Sequence, residues 1–331
     1  MSQTDKPWVG VVTPVFNGEP YLAECIESVL SQTYTHFDYT IVNNCSTDRS
    51  LEIAERYAKS DSRIRVVTNE TFLDQPSNFN CALSLVPSRA KYCKLALADD
   101  RILPRCLEEM VQVAESDPEV AMVGAYETIG LDIFCQGLPF GTNVISGKDA
   151  CRLYLLKGKY LFGTPNCLLY RSSEVRRRTP FFRVDDGDVY AEDADACLDL
   201  LRDRKFGFVH QILTFTRRDN VSIISTIIPY RPWLLSELVM LHRYGKEYLT
   251  QAEFDQRWNA KLKDYLFFLG EKVLGRWDKG FWQYHKKGME KFGYTLRNGV
   301  LAWNVALAFL DTALNPKSSI EKRLWRGKAA G

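Results

Sequence analysis

Two adjacent carboxylates, Asp99 and Asp100, follow the expected strand 92–97 and precede Arg101, Ile102, Leu103 and Pro104. Like charges side by side are unfavourable unless something positive offsets them. A divalent cation shared with a diphosphate would do so, because Mg²⁺ or Mn²⁺ binds through one or two carboxylates and substrate phosphates. A solvated pair capping the helix near Pro104 is the other use of such residues. A second acidic group, Glu192 and Asp193 with Asp195, opens a stretch of helical spacing. A carboxylate there can take a proton from a hydroxyl if it faces a cleft, or it can simply complement the positive end of the helix dipole. The amides of Asn43 and Asn44 each donate and accept, which suits the edge of a pyrimidine. The competing use is a polar turn in which Ser46, Thr47 or Asp48 caps the next helix. Pro14, Phe16 and Asn17 lie where a strand meets a turn, a place that can offer backbone groups and an aromatic face to a base.

The elements that must position these groups follow from apolar spacing. Residues 9–15 form a continuous β-branched run, suited to a strand buried on both faces. After the break at 16–20, Leu22, Cys25, Ile26, Val29 and Leu30 recur at helical intervals. Strands are expected at 37–42, 64–67, 92–97 and 120–126, with helices at 50–58, 78–85 and 105–114 between them. Such alternation implies a parallel α/β sheet with right-handed crossovers. Ligands gather beyond the carboxyl ends of its strands. Phe16 with Asn17, Asn43 with Asn44, and Asp99 with Asp100 all fall at such ends, so they can converge on one crevice. Beyond Gly130 the pattern loosens, with a strand at 163–170, a helix at 192–201, a strand at 206–215, and helices from Trp233 onward.

The 331 residues are 46% hydrophobic and 25% charged, an ordinary globular balance. Nine scattered cysteines without a C-x-x-C read as reduced, mostly buried thiols rather than as disulfides or a zinc site. The N-terminus has no secretory pattern, and no apolar stretch reaches the roughly 18 residues needed to span a bilayer. A cytoplasmic location is therefore expected. The net charge of +2 is unevenly spread: residues 231–331 hold 18 Lys/Arg against 10 Asp/Glu, whereas the first 230 residues are acidic. That acidic part argues against nucleic acid as a partner, while the basic, aromatic-rich C-terminal part suits an anionic surface. Residues 299–314 are strongly apolar but, as a helix of about 24 Å, too short to cross a membrane comfortably. They can pack as a helix on the rest of the protein or lie in a membrane interface, anchored by Trp303, Trp325 and neighbouring basic groups.

Taken together the motifs resemble the family 2 inverting glycosyltransferases of GT-A fold, over roughly residues 8–225. The opening PVFNGEPYLAECIESVLSQT is similar to that family's PVxNxxxYLxxxIxSVLxQT, IVNNCSTDRS to its VDDGSTDxS, and KLALADDRILP to its metal-binding Asp motif. AEDADACLDLL is similar to its ED motif, and FTRRDNVSII to a segment that usually reads R-x-H-x-x-x-S. The resemblance implies a mostly parallel central sheet flanked by helices, with a catalytic domain at 1–228; it does not guide the reading of 229–331, which by its own pattern is expected to be a helical region, packed or membrane-peripheral. It implies that Pro14 and Phe16 cradle the base, with Phe16 as the aromatic face; Asn17, next to Phe16, is a further expected nucleotide-binding residue. Asn43 or Asn44 would bond the base edge, and Asn80, beside Asn78, would contact the nucleotide. Asp99 would meet the ribose or flank the metal, Asp100 would bind Mn²⁺ or Mg²⁺, and Asp193 would be the base, with Glu192 orienting it. The implied reaction moves a sugar from a nucleotide-sugar donor, UDP-linked by expectation, to a glycan or lipid-linked acceptor at the inner face of a membrane. Asn43 and Asn44 replace the family's paired Asp, and Arg217, Arg218 and Asp219 stand where its His is usual, so Arg217 or Arg218 could bind diphosphate. His210 reads as a strand residue rather than a ligand. Two other classes stay open. A sugar nucleotidyltransferase would want a Gly-rich, basic loop that TPVFNGEP lacks. A catalytically inactive nucleotide-sugar-binding homologue would fit Asn43 and Asn44.

Overall fold

A computed structural model describes residues 6–184, 191–218, 230–274 and 279–314. These form two compact units, one made of residues 6–184 and 191–218 and the other of residues 230–274 and 279–314. The boundary expected at 228/229 falls outside the described residues.

The first unit is built on a ten-stranded sheet. Its strands are β1 (Val9–Val15), β2 (Phe37–Asn43), β3 (Ile64–Thr68), β4 (Tyr92–Leu95), β5 (Arg101–Ile102), β6 (Val120–Ile129), β7 (Asp132–Phe134), β8 (Val144–Ser146), β9 (Leu169–Arg171) and β10 (Lys205–Thr216). The order is β3-β2-β1-β4-β9-β6-β10-β5, with β7 on β6 and β8 on β10. The β3-β2-β1-β4 half is parallel throughout. β9 runs antiparallel to both β4 and β6, and β6 and β10 are again parallel. The helices are α1 (Leu22–Leu30), α2 (Ser50–Ser60), α3 (Gln75–Ser84), α4 (Cys106–Glu115), α5 (Gly147–Lys157), α6 (Ser172–Arg176) and α7 (Glu192–Leu200).

Every residue of β1 is buried, as its unbroken apolar run requires. Pro14 sits inside this central strand although it has no N–H to give a ladder. It is tolerated because pairing with β4 ends at Val12 and Leu95, two residues earlier, while pairing with β2 continues to Asn43. β4 thus stops short of β1, and its chain turns away to present Asp99 and Asp100. α1 buries Leu22, Cys25, Ile26 and Val29 along one stripe. The expected strand at 163–170 is instead a 3₁₀ turn, Pro165–Cys167, followed by the short β9. All nine cysteines are free thiols, seven of them buried.

The second unit contains α8 (Pro232–Tyr248), α9 (Gln251–Leu274), α10 (Lys279–Glu290) and α11 (Asn298–Leu314). Its core is aromatic. His285 is fully buried, paired through Nδ1 with Tyr265 Oη at 2.8 Å and packed on Phe281, and burial lowers its pKa to about 4. No described helix is long and apolar enough to cross a membrane.

Candidate active site

Asp100 is buried, and its carboxylate caps no helix: the N-cap of α4 is Arg105, which makes no side-chain cap bond. Instead Oδ1 accepts from the Arg217 N–H at 2.9 Å and Oδ2 from the Thr216 hydroxyl at 3.0 Å. The same hydroxyl lies 2.8 Å from Oε1 of Glu127, a fully buried carboxylate in β6. One hydroxyl carries one proton, so it cannot donate to both acids at once. Asp100 makes no ion pair among the described residues. Burial, then the charge of Asp99 beside it, hold its pKa well above the usual carboxylate range, against the opposing bonds from Arg217 and Thr216. A cluster of hard oxygen donors short of positive charge fits Mg²⁺ or Mn²⁺.

Arg217 is not aimed at an open phosphate position. Its guanidinium bonds Glu24 and, at 3.1 Å, the carbonyl of Asp99, and it covers the ring of Tyr21 at 4.4 Å. It braces the turn that carries the acidic pair. Arg218 is exposed. His210 pairs with Tyr126 Oη and the Thr142 carbonyl, as befits a strand residue. Asp219 lies outside the described residues.

Asp193 sits in the first turn of α7. Its Oδ1 accepts from the Ala194 N–H at 2.7 Å and its Oδ2 from Tyr160 Oη at 3.3 Å. Burial and then the neighbouring charge of Glu192 raise its pKa to about 6. Asp195, by contrast, is paired with Arg183 at 3.1 Å. The segment 160–164 ties the two acidic groups together. Tyr160 at one end bonds Asp193. Thr164 at the other gives its N–H (3.0 Å) and hydroxyl (2.6 Å) to Glu127, which reaches Asp100 through Thr216. Gly163 lets the segment turn: its φ is +66°, and a Cβ there would lie 2.7 Å from Cys167 Cβ and 2.8 Å from Glu127 Oε2. Gly163→Ala should therefore destabilise the protein by about 2–4 kcal/mol, read as a lower denaturant midpoint at unchanged slope. Glu127, Cys135 and Cys167 bring three ligand-type atoms within 4.8 Å. Both Glu127 oxygens already accept hydrogen bonds, and Cys167 donates to the Ala125 carbonyl, so the trio reads as internal packing.

On the side of β1 and β2 lie the residues expected to contact the base. Phe16 is 47% exposed and meets the 58% exposed Phe72 edge-on, with centroids 4.8 Å apart. Phe72 gives no sign in the sequence because it sits alone in a loop without periodicity. Pro14 is buried in β1 below this pair. Asn17 has φ +50°, and its Oδ1 accepts from the Thr47 N–H at 2.8 Å, fastening one loop to the next. Neither Ser46 nor Thr47 caps α2: its N-cap is Arg49, which makes no side-chain cap bond, and Asp48 just before it accepts from the Ser50 N–H. Asn44 is buried with both ends engaged: Nδ2 donates to the Leu73 carbonyl, and Oδ1 accepts from Leu73 N–H and Asn69. Asn43 accepts from Ser46 N–H and donates to Thr68. Asn78 accepts from Asn69. Asn80 makes a two-bond bridge with the backbone of Phe182, at 2.7 and 2.8 Å. These amides hold loops in place, with their polar atoms directed at protein. Asn80→Ala should cost about 1–3 kcal/mol of stability and leave nucleotide affinity, measured by calorimetry, within about twofold.

Residues 10–173 match the profile of Glycosyl transferase family 2. The chain carries a family 2 glycosyltransferase domain. EpsJ, an uncharacterized glycosyltransferase of Bacillus subtilis, is 49% identical over 236 residues, which cover 68% of this chain and 65% of that protein. The chain thus spans less than two thirds of the length of the curated relatives it matches first. The architecture is that of S. aureus TarS 1–349, solved with UDP-GlcNAc, with TM-score 0.62 at 16% identity over 91% of this chain and 88% of that one. A mannosyltransferase from Pyrobaculum calidifontis, solved with GDP-Man and Mn²⁺, aligns with TM-score 0.51 at 14% identity over 95% and 89% of the two chains. These likenesses establish the GT-A fold. In the family 2 domain, the acidic turn after β4 and the acidic helix start are thus linked by hydrogen bonds at the two ends of the 160–164 segment.

Proposed function

We propose that the chain is a metal-assisted, inverting glycosyltransferase that moves a sugar from a nucleoside-diphosphate donor to a hydroxyl of a glycan or lipid-linked acceptor. The observation that carries this reading is the connection from Asp100, through Thr216, Glu127 and the 160–164 segment, to Asp193. UDP is the first candidate base carrier; TarS was solved with UDP-GlcNAc, whereas the mannosyltransferase was solved with GDP-Man. Phe16 and Phe72 offer the base an exposed aromatic surface.

Asp100 would hold the cation, with Asp99 beside it. A divalent ion bound there supplies neutralisation of the charge that develops on the departing diphosphate. Asp193 accepts the proton of the acceptor hydroxyl, and its pKa near 6 leaves it ionised yet basic at neutral pH. The acceptor oxygen bonds to the anomeric carbon as the bond from that carbon to the diphosphate oxygen breaks, and the bonding pair leaves with the diphosphate. One displacement inverts the anomeric centre. Tyr160 Oη fixes the carboxylate of Asp193, and Glu192 lies next to it. Residues 1–228 are assigned to catalysis, in polysaccharide or lipid-linked glycan assembly. Nine unpaired cysteines support a reducing, cytoplasmic setting.

The test is nucleoside diphosphate release from a panel of UDP- and GDP-sugars with Mn²⁺ or Mg²⁺, with and without glycan acceptors. Release with one donor, abolished by EDTA, is expected. Tight donor binding without turnover across the panel would favour an inactive nucleotide-sugar-binding homologue.

A further inference from the structure

Helix α11 is built inside out. Its polar residues Asn304 and Asp311 turn toward the protein, and Asn304 is buried. Its outward stripe is apolar: Trp303 (65% exposed), Phe309 (64%), Leu310 (51%) and Leu314 (76%) share it with Gly299, Ala302, Ala306 and Ala313, all exposed, while the exposed polar residues Asn298 and Thr312 lie along one edge. The apolar positions fall within a little under half of the helical circumference at 3.6 residues per turn. The buried side packs on α9 at close range, since a Cβ on Gly270 would come within 2.6 Å of the Asn304 backbone. The helix is thus fixed with its apolar face outward. A contiguous face of this kind marks an interaction surface rather than scattered exposed residues.

Charge decides what covers it. Lys286, Lys287, Lys291 and Arg297 precede the helix against the single acid Glu290, and residues 315–331 contain five Lys/Arg against Glu321 alone. Lys286, Lys287 and Arg297 are exposed. A second copy docked on the same face would bring like-charged flanks together, whereas a bilayer with anionic headgroups accepts both the apolar stripe and the cations. The 17 residues of α11 are too few to span a membrane, and Trp303 has the amphipathic ring suited to headgroup depth. We propose that the outward face of α11 is a membrane-docking surface that lies in the interface of an anionic lipid bilayer, with the basic flanks on the headgroups.

The test uses the full chain and does not depend on transferase activity. Unilamellar vesicles of phosphatidylcholine with 30% phosphatidylglycerol should pellet the protein at low salt, and pure phosphatidylcholine vesicles should pellet at least tenfold less. The triple variant Trp303→Ser, Phe309→Ser, Leu310→Ser changes only exposed side chains. It should keep its thermal midpoint and lose at least tenfold in partitioning. Emission of the wild type, minus that of Trp303→Phe, should shift to the blue when anionic vesicles are added. Recovery in the supernatant at every lipid composition would overturn the proposal. So would vesicle binding unchanged in the triple variant, or a wild-type dimer by light scattering that the variant abolishes and lipid does not affect.

Discussion

Asp193→Asn should lower kcat by about 10²–10⁴-fold while the dissociation constant for the nucleotide stays within about twofold. The substitution keeps the shape of the side chain and its acceptor oxygen toward Ala194 N–H or Tyr160, but removes the basic site. The wild-type rate should rise with pH through about 6, because the base works only when ionised, and level off above it. In Asp193→Asn that limb should disappear. Stability should move the other way. Since the folded-state pKa of Asp193 lies above the ordinary value of 3.8, folding favours its protonated form, so its contribution falls as pH rises from near 4 through about 6. At pH 8 the variant should therefore melt no lower than the wild type. A loss of nucleotide affinity matching the loss of rate would instead give Asp193 a role in donor binding.

Asp100→Asn should reduce activity by at least about 10³-fold, on the order expected when a major electrostatic contribution to the transition state is lost, and abolish the calorimetric signal of Mn²⁺ binding in the presence of nucleotide. The metal-free variant should be more stable than the metal-free wild type at pH 8, by about 2–4 °C in Tm. Asp100 is buried against Asp99, with Glu127 across a shared hydroxyl, so its charge is unfavourable in the fold. Its folded pKa is raised, so ionisation erodes stability as pH rises above the unfolded value. Removing that charge relieves the cluster; added Mn²⁺ should do the same for the wild type and not for the variant. Such an exchange of stability for function is common at active sites. A variant that is destabilised and still binds Mn²⁺ would show that the cation site is built from other residues.

How much of this was legible in the sequence differs by residue. β1 was readable to the residue because a strand buried on both faces has no alternation to blur its ends. Asp100 and Asp193 stood out because acidic residues at a strand end and a helix start demand a reason. The connection between them did not stand out. Glu127 is one residue in a long strand, and its partners Thr164 and Thr216 lie 37 and 89 positions away. Asn43, Asn44 and Asn80 have the right chemistry for a base edge, but an amide serves a backbone equally well, and only the fold shows Asn80 bridging to Phe182, 102 residues on. The strand expected at 163–170 failed because Gly163, in a left-handed conformation, and Pro165 break it into a turn, which apolar content alone conceals. The apolar run at 299–314 was visible; that its apolar face points outward was not, since periodicity does not say which side meets the protein.

The most direct test of the proposal that Asp100 and Asp193 share one site is a crystal structure with UDP and Mn²⁺, phased for the anomalous signal of manganese. An anomalous peak within about 2.5 Å of an Asp100 oxygen, with the diphosphate on the same ion and the Asp193 carboxylate facing the terminal phosphate across a sugar-sized gap, is the expected result. Manganese and nucleotide bound together at a place that neither Asp100 nor Asp193 reaches would contradict it.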